Sequence, residues 1–399
     1  MDVYRPDLKK PINMYSSGTP PRPNSQMSKP FLYYAGIVSY LLFALNVEVS
    51  WDYPTFPFKY LTFFLLSAHL FQVISLYSIR HQILLLLSLL LVCIVGVIAE
   101  QLAPLILSFE LIVGAKGVEF KKILKVHFLV SVAICLFSVI GSSVGLVENV
   151  VVDLSNEVDL FADSPKRYSY GYVWPTGCAI HISFLCLTYW LIKDSYIGVK
   201  GWLCFIIAIY FVLFYPQARQ ASFIIFFILL ISLYINYVIR HQRHPNRLFL
   251  FFLLISPLVF AAISLYMTIA FNGLDQTWMF VDILFTGRLR LGQEAIEEYG
   301  IPLFGQYIDM IGGDVNMNDY NYVDSSFVQA PLIWGVVLFG ILLLLYEYIA
   351  CKAYKINSYS LLFAVAIAAL SGVTSQYFFQ IKFCPLLLAL FASHNVRRR

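Results

Sequence analysis

Charge is what this sequence has least of. Only 13% of its 399 residues are Asp, Glu, Lys or Arg, where soluble domains carry about a quarter. With 60% of residues hydrophobic, a soluble globular protein is excluded and the bilayer becomes the main solvent. The chain has no CxxC pair and no metal-ligand spacing among its seven cysteines. A disulfide framework and a cysteine metal site are thereby excluded, and the thiols read as buried small hydrophobes. GxxxxGK[ST] and HExxH are both missing, so no P-loop nucleotide chemistry and no zinc-protease chemistry is expected.

What fills the chain instead is a series of uncharged apolar runs suited to a hydrocarbon core about 30 Å thick. They predict an all-α polytopic protein with about twelve spans, at 31–47, 57–78, 83–99, 102–115, 126–147, 176–192, 201–216, 221–239, 249–271, 326–350, 358–376 and 380–394. These form one transmembrane domain over 31–394, flanked by tails at 1–30 and 395–399. The first tail is polar and Pro/Ser-rich and reads as disordered and cytoplasmic, not as a signal peptide. The second is basic. If the first span enters from the cytoplasm, 20 of the 27 Lys and Arg residues fall on the inner side. That split places both termini in the cytoplasm.

Two outer connections are long, 148–175 and 272–325, and both are acidic on balance. Within the second, RLRLGQEAIEEYG spaces Leu289, Leu291, Ala295 and Ile296 along one helix face. An amphipathic interfacial helix ending at Gly300 is expected there. Inside the spans the ionisable groups are few, among them Glu110, Glu347, His69 and His181. That scarcity weighs against an ion-coupled carrier.

Arginines stand on the outer side in three segments: Arg167, Arg219, and Arg288 with Arg290. Topogenic bias disfavours them there, and a guanidinium fork suits phosphate oxygens at any pH. Each could instead make a surface salt bridge. Glu294 and Glu297 lie within helical reach of Arg288 and Arg290, whereas the turn around Arg219 holds no acid. His181 reads as a packing histidine or as a cavity contact. Asp324 or Ser325 could simply cap the tenth span. Outer aromatics such as Tyr168, Tyr170, Tyr172, Trp174, Trp278, Tyr320 and Tyr322 are placed where rings could stack on sugars.

The order of these motifs resembles the Wzy family of bacterial polysaccharide polymerases, and more distantly the O-antigen ligases. RYSYGY at 167–172 is similar to the family's R-x-S-x-G-F, although Trp174-Pro175-Thr176 replaces its H-P-N. QARQAS around Arg219, the stretch from Arg288 to Gly305, and YNYVDSS at 320–326 followed by Gly335 continue the resemblance over most of the chain. It implies a glycosyltransferase-C-like fold in the bacterial cytoplasmic membrane. It also implies undecaprenyl-diphosphate-linked oligosaccharides as donor and acceptor, with chain-length regulator and flippase proteins as partners. No cofactor, metal or nucleic acid is implied. Arg219 and Arg288 are then expected to be catalytic through the departing diphosphate, and Asp324 as the base. Arg167, Arg290, Tyr172, His181, Tyr320 and Asn321 are expected to bind substrate. A ligase and a lipid-linked oligosaccharide flippase are the alternatives.

Overall fold

The computed structural model describes residues 30–153, 166–241, 246–312 and 321–394. The tails, Tyr320 and the acidic stretches 154–165 and 313–320 lie outside them. Fourteen α-helices make up most of the described structure. They are α1 Phe31–Ala44, α2 Phe56–Val73, α3 Ile79–Ile98, α4 Leu102–Gly114, α5 Phe120–Ser143, α6 Pro175–Ile192, α7 Gly198–Phe214 and α8 Arg219–Arg240. The second half holds α9 Arg247–Leu254, α10 Ser256–Ile269, α11 Gln276–Leu284, α12 Arg288–Tyr299, α13 Ser326–Lys355 and α14 Tyr359–Gly372.

Seven helices are long and apolar enough to cross a membrane, and α9 with α10 forms an eighth candidate bent by 62°. The bend falls at Ile255, just before Pro257, whose ring cannot continue a helix from the preceding turn. Three expected spans are shorter apolar helices, α4, α7 and α14. At 13 residues α4 rises only about 20 Å. The chain is thus an all-α, multi-pass, membrane-type protein, with a single two-stranded sheet among the described residues, β1 Val151–Asp153 against β2 Lys166–Tyr168.

The expected span 380–394 is not an α-helix. It contains a 3-10 turn, Pro385–Ala389, whose residues are all buried. Its apolar character serves the protein core and not the lipid. The Lys352 ammonium donates to the carbonyls of Ala389, Leu390 and Ala392 at 2.8, 3.0 and 3.1 Å. These bonds replace those a helix would have made. The segment still runs the length of the bundle. It starts beside Glu48, after α1, where Lys382 and Tyr377 bond, and finishes at Ser393, which pairs with Val118 and Phe120 between α4 and α5.

α13 is kinked at Gly335, whose φ of 78° and ψ of 163° are open essentially to glycine alone. The loop 302–306 plugs this kink. Gln306 N–H donates to Ile333 O, while Val336 and Val337 N–H donate to Pro302 and Leu303 O. The amphipathic helix is present as α12 and ends before Gly300 as expected. It packs by Leu289, Gly292 and Ala295 against α10 and the start of α13.

Candidate functional site

At the end of the bundle where α13 begins, two ion pairs face a shared polar layer. Arg288 Nε lies 3.0 Å from Asp324 Oδ2, and both side chains are mostly buried, 21% and 30% exposed. The Asp282 carboxylate receives Leu289 N–H at 2.9 Å and Arg290 N–H at 3.2 Å. It therefore fixes the start of α12 and, with it, Arg288. The same guanidinium donates to Thr286 Oγ1 at 2.6 Å. Asp324 is held by the turn that launches α13, where Ser326 N–H donates to Ser375 O.

The second pair is Lys382 Nζ to Glu48 Oε1, 2.6 Å, with the side chains 13% and 12% exposed. Glu48 is anchored through its backbone: Val173 N–H donates to its carbonyl, and Val49 bridges Tyr172. Between the pairs, Tyr322 hydroxyl and Gln329 amide both donate to Gln376 Oε1, and the adjacent Tyr377 hydroxyl reaches Glu48 Oε2 at 3.4 Å. Burial raises the Tyr322 phenol above its ordinary pKa, and the charges of Glu48 and Asp324 push the same way. Tyr322 therefore stays a donor between two carboxylates. Taking two charge pairs out of water carries a desolvation cost. Paired, mostly buried charges at one end of an apolar bundle are thus a marker of function.

Hydrogen bonds tie the Arg167 and Arg219 segments to the end of the bundle that holds Arg288 and Asp324. Gln217 on the α7–α8 turn donates to Lys166 O beside Arg167 on β2, at 3.4 Å. Gln220, next to Arg219 at the head of α8, donates to Ser371 O at the end of α14. Ser375, bonded to Ser371, accepts from Ser326. The half-buried Arg167 and Arg219 are thereby carried by segments tied to the turn that holds Asp324.

Other expected site residues lie elsewhere. Arg290 pairs with Glu294 at 3.3 Å on the exposed face of α12, 57% and 55% exposed, a surface bridge away from the layer. Asn321 braces the loop, accepting from Ile311 N–H at 2.6 Å and donating to Asp309 O at 2.9 Å. Its amide also reaches the Tyr299 hydroxyl at 3.4 Å. Tyr172 and His181 are buried, 0% and 1% exposed, and bond each other at 2.6 Å between hydroxyl and Nδ1. They form the wall behind Glu48, not the surface of the site. Tyr320 falls outside the described residues.

The capping roles left open at the tenth span are also settled. Ser325 occupies the N-cap position of α13 without a side-chain cap bond, its hydroxyl bonding Ser264 and Gly372 O instead. Asp324 turns to Arg288. Glu48, Lys382, Tyr377, Gln376 and Gln329 escaped the sequence reading. No protein-family model, curated protein or solved structure matches this chain.

Proposed function

We propose that this protein is a glycosyltransferase-C-like polymerase of the bacterial cytoplasmic membrane. It joins lipid-diphosphate-linked oligosaccharide repeat units at the outer face, with the Arg288 end of the bundle extracytoplasmic and both termini cytoplasmic. The observation that carries the reading is the Arg288–Asp324 pair, set on a rim that the Arg167 and Arg219 segments share. In the free protein the guanidinium and the carboxylate neutralise each other. A diphosphate offers the same fork a stronger, bidentate partner. As Arg288 turns to it, the Asp324 carboxylate is released to accept a proton.

The reaction then balances within this layer. The acceptor sugar hydroxyl forms a bond to the donor's anomeric carbon and its proton passes to Asp324. The bond from that carbon to the diphosphate oxygen breaks, and the electron pair leaves with the lipid diphosphate, whose charge Arg288 and Arg219 stabilise. Such preorganised charge is usually the largest catalytic contribution. Tyr322, Gln329 and Gln376 offer hydrogen bonds to sugar hydroxyls beside it. A chain-length regulator and a flippase are the protein partners this reading calls for.

The test is purified protein in detergent with lipid-linked repeat unit and neither nucleotide nor divalent metal. A ladder of longer lipid-linked glycans is expected, and unchanged substrate would refute the reading.

A further inference from the structure

Behind the Lys382–Glu48 pair lies a cavity of about 540 Å³, within the range of small-molecule sites. It is tall. Its walls run from Gln101 to Val113 on α4 and from Trp334 to Leu345 on α13, about 16–18 Å at 1.5 Å per residue. α3 closes one side through Leu85, Ser88, Leu91 and Val92. Of the seven long apolar helices α3 is the least covered by protein, with 17% of its window buried. The lining is graded. Asn46, Thr55, Gln101 and Lys382 come from the Arg288 end, whereas Ile112, Leu345, Leu390 and Phe391 at the far end are apolar. Lys382 is the one charged side chain among the described residues that line it.

We infer that this slot holds the hydrocarbon chain of a lipid diphosphate substrate, with Lys382 leaving Glu48 to grip the diphosphate at its mouth. The inference rests on the proposed function for the identity of the substrate and adds where its lipid part binds. Charge complementarity decides the head group. With Lys382 compensated by Glu48, an incoming anion must outcompete a carboxylate at 2.6 Å. A diphosphate monoester carries more than one negative charge, whereas a phospholipid diester carries a single one. Shape decides the tail, since a narrow slot reaching deep into the bundle from a cationic mouth fits one long chain lying along it. Glu48, once released, faces Tyr377 and the polar layer it shares with Asp324. A chain lodged here therefore presents its diphosphate to the same rim.

The experiment titrates the full-length protein in detergent with geranylgeranyl diphosphate, geranylgeraniol, inorganic diphosphate and phosphatidylglycerol, read by native mass spectrometry and by the fluorescence of Trp334, whose ring lines the slot. Geranylgeranyl diphosphate should bind about tenfold or more tightly than the alcohol, the worth of a charge-assisted contact. Lys382→Met combined with Glu48→Gln leaves no buried unpaired charge and should erase that preference. Ser108→Leu or Leu338→Trp, each narrowing the slot, should weaken the diphosphate lipid and leave inorganic diphosphate unchanged. If Leu338→Trp fails to fold, the smaller Ser108→Leu carries the test. Equal binding of diphosphate and alcohol, indifference to the filling variants, or equally effective competition by phosphatidylglycerol would each overturn the inference. Binding as described without any chain extension would support this site while refuting the polymerase reading.

Discussion

Arg288 and Asp324 stand 36 positions apart in sequence and meet at 3.0 Å, one at the head of α12 and the other two residues before α13. Each satisfies the other in the free protein. In the proposed reaction the pair acts as a coupled switch, since a diphosphate that took the guanidinium would free the carboxylate.

Asp324→Asn separates that role from a structural one. Asparagine keeps the shape and accepts a hydrogen bond from Arg288, yet cannot take a proton from a sugar hydroxyl. The variant should insert and bind lipid-linked substrate normally while turnover falls by about 10²–10⁴-fold, the usual worth of general-base catalysis. Near-normal turnover at saturating substrate would move the proton elsewhere. Arg288→Lys should rescue poorly, because lysine keeps the charge and loses the two-pronged geometry.

Gly335→Ala should cost about 3 kcal/mol or more, combining a forbidden backbone region with a collision. A Cβ there would lie 2.4 Å from Gly305 N and 2.5 Å from Leu303 O, so the loop 302–306 could not seat. Gly340→Ala is the control. Its Cβ meets nothing within 4 Å, and helix propensity favours alanine. Thermal unfolding in detergent should show a large loss for the first and none for the second.

Arg290→Ala should be nearly silent in stability and in chain extension. The pair with Glu294 is exposed on both sides, and bridges of that kind are worth roughly 0–1 kcal/mol. A loss of activity comparable with that of Arg288→Ala would bring Arg290 into the site.

Sidedness is open to labelling. With Cys204 and Cys351, the exposed native thiols, replaced, a cysteine at Leu274 (94% exposed) should react with an impermeant reagent from outside. One at Val199 (86% exposed) should react only from inside. The opposite pattern would invert the orientation and remove the outer-face reaction.

Much of the scaffold was legible because hydrophobic length is a local property. Every apolar run except the last became one or more helices, and the Leu289/Ala295 face and the Gly300 stop of α12 were visible as spacing. The run at 380–394 misled because burial in protein and burial in lipid select the same side chains. The burial of Pro385–Ala389, the Lys352 ammonium and the Ser393 pairing show that it is core. The arginines could be singled out by the side of the membrane the charge split predicts for them. Glu48 and Lys382 could not be joined, since the partners are 334 positions apart and Glu48 looked like the ordinary flank of a span. Arg290 and Asn321 looked like Arg288 and Asp324 in one dimension. Their helix face and backbone bonds told them apart.

The most direct measurement is the yield of free lipid diphosphate against new glycosidic bonds, by phosphorus NMR and gel analysis of the same reaction, for wild type and Arg288→Ala. Reconstituted protein with lipid-linked repeat unit should release one lipid diphosphate for each unit added, and Arg288→Ala should lose both products together. Lipid-linked glycan that crosses the vesicle bilayer unaltered, with no diphosphate released, would contradict the account and make the protein a transporter.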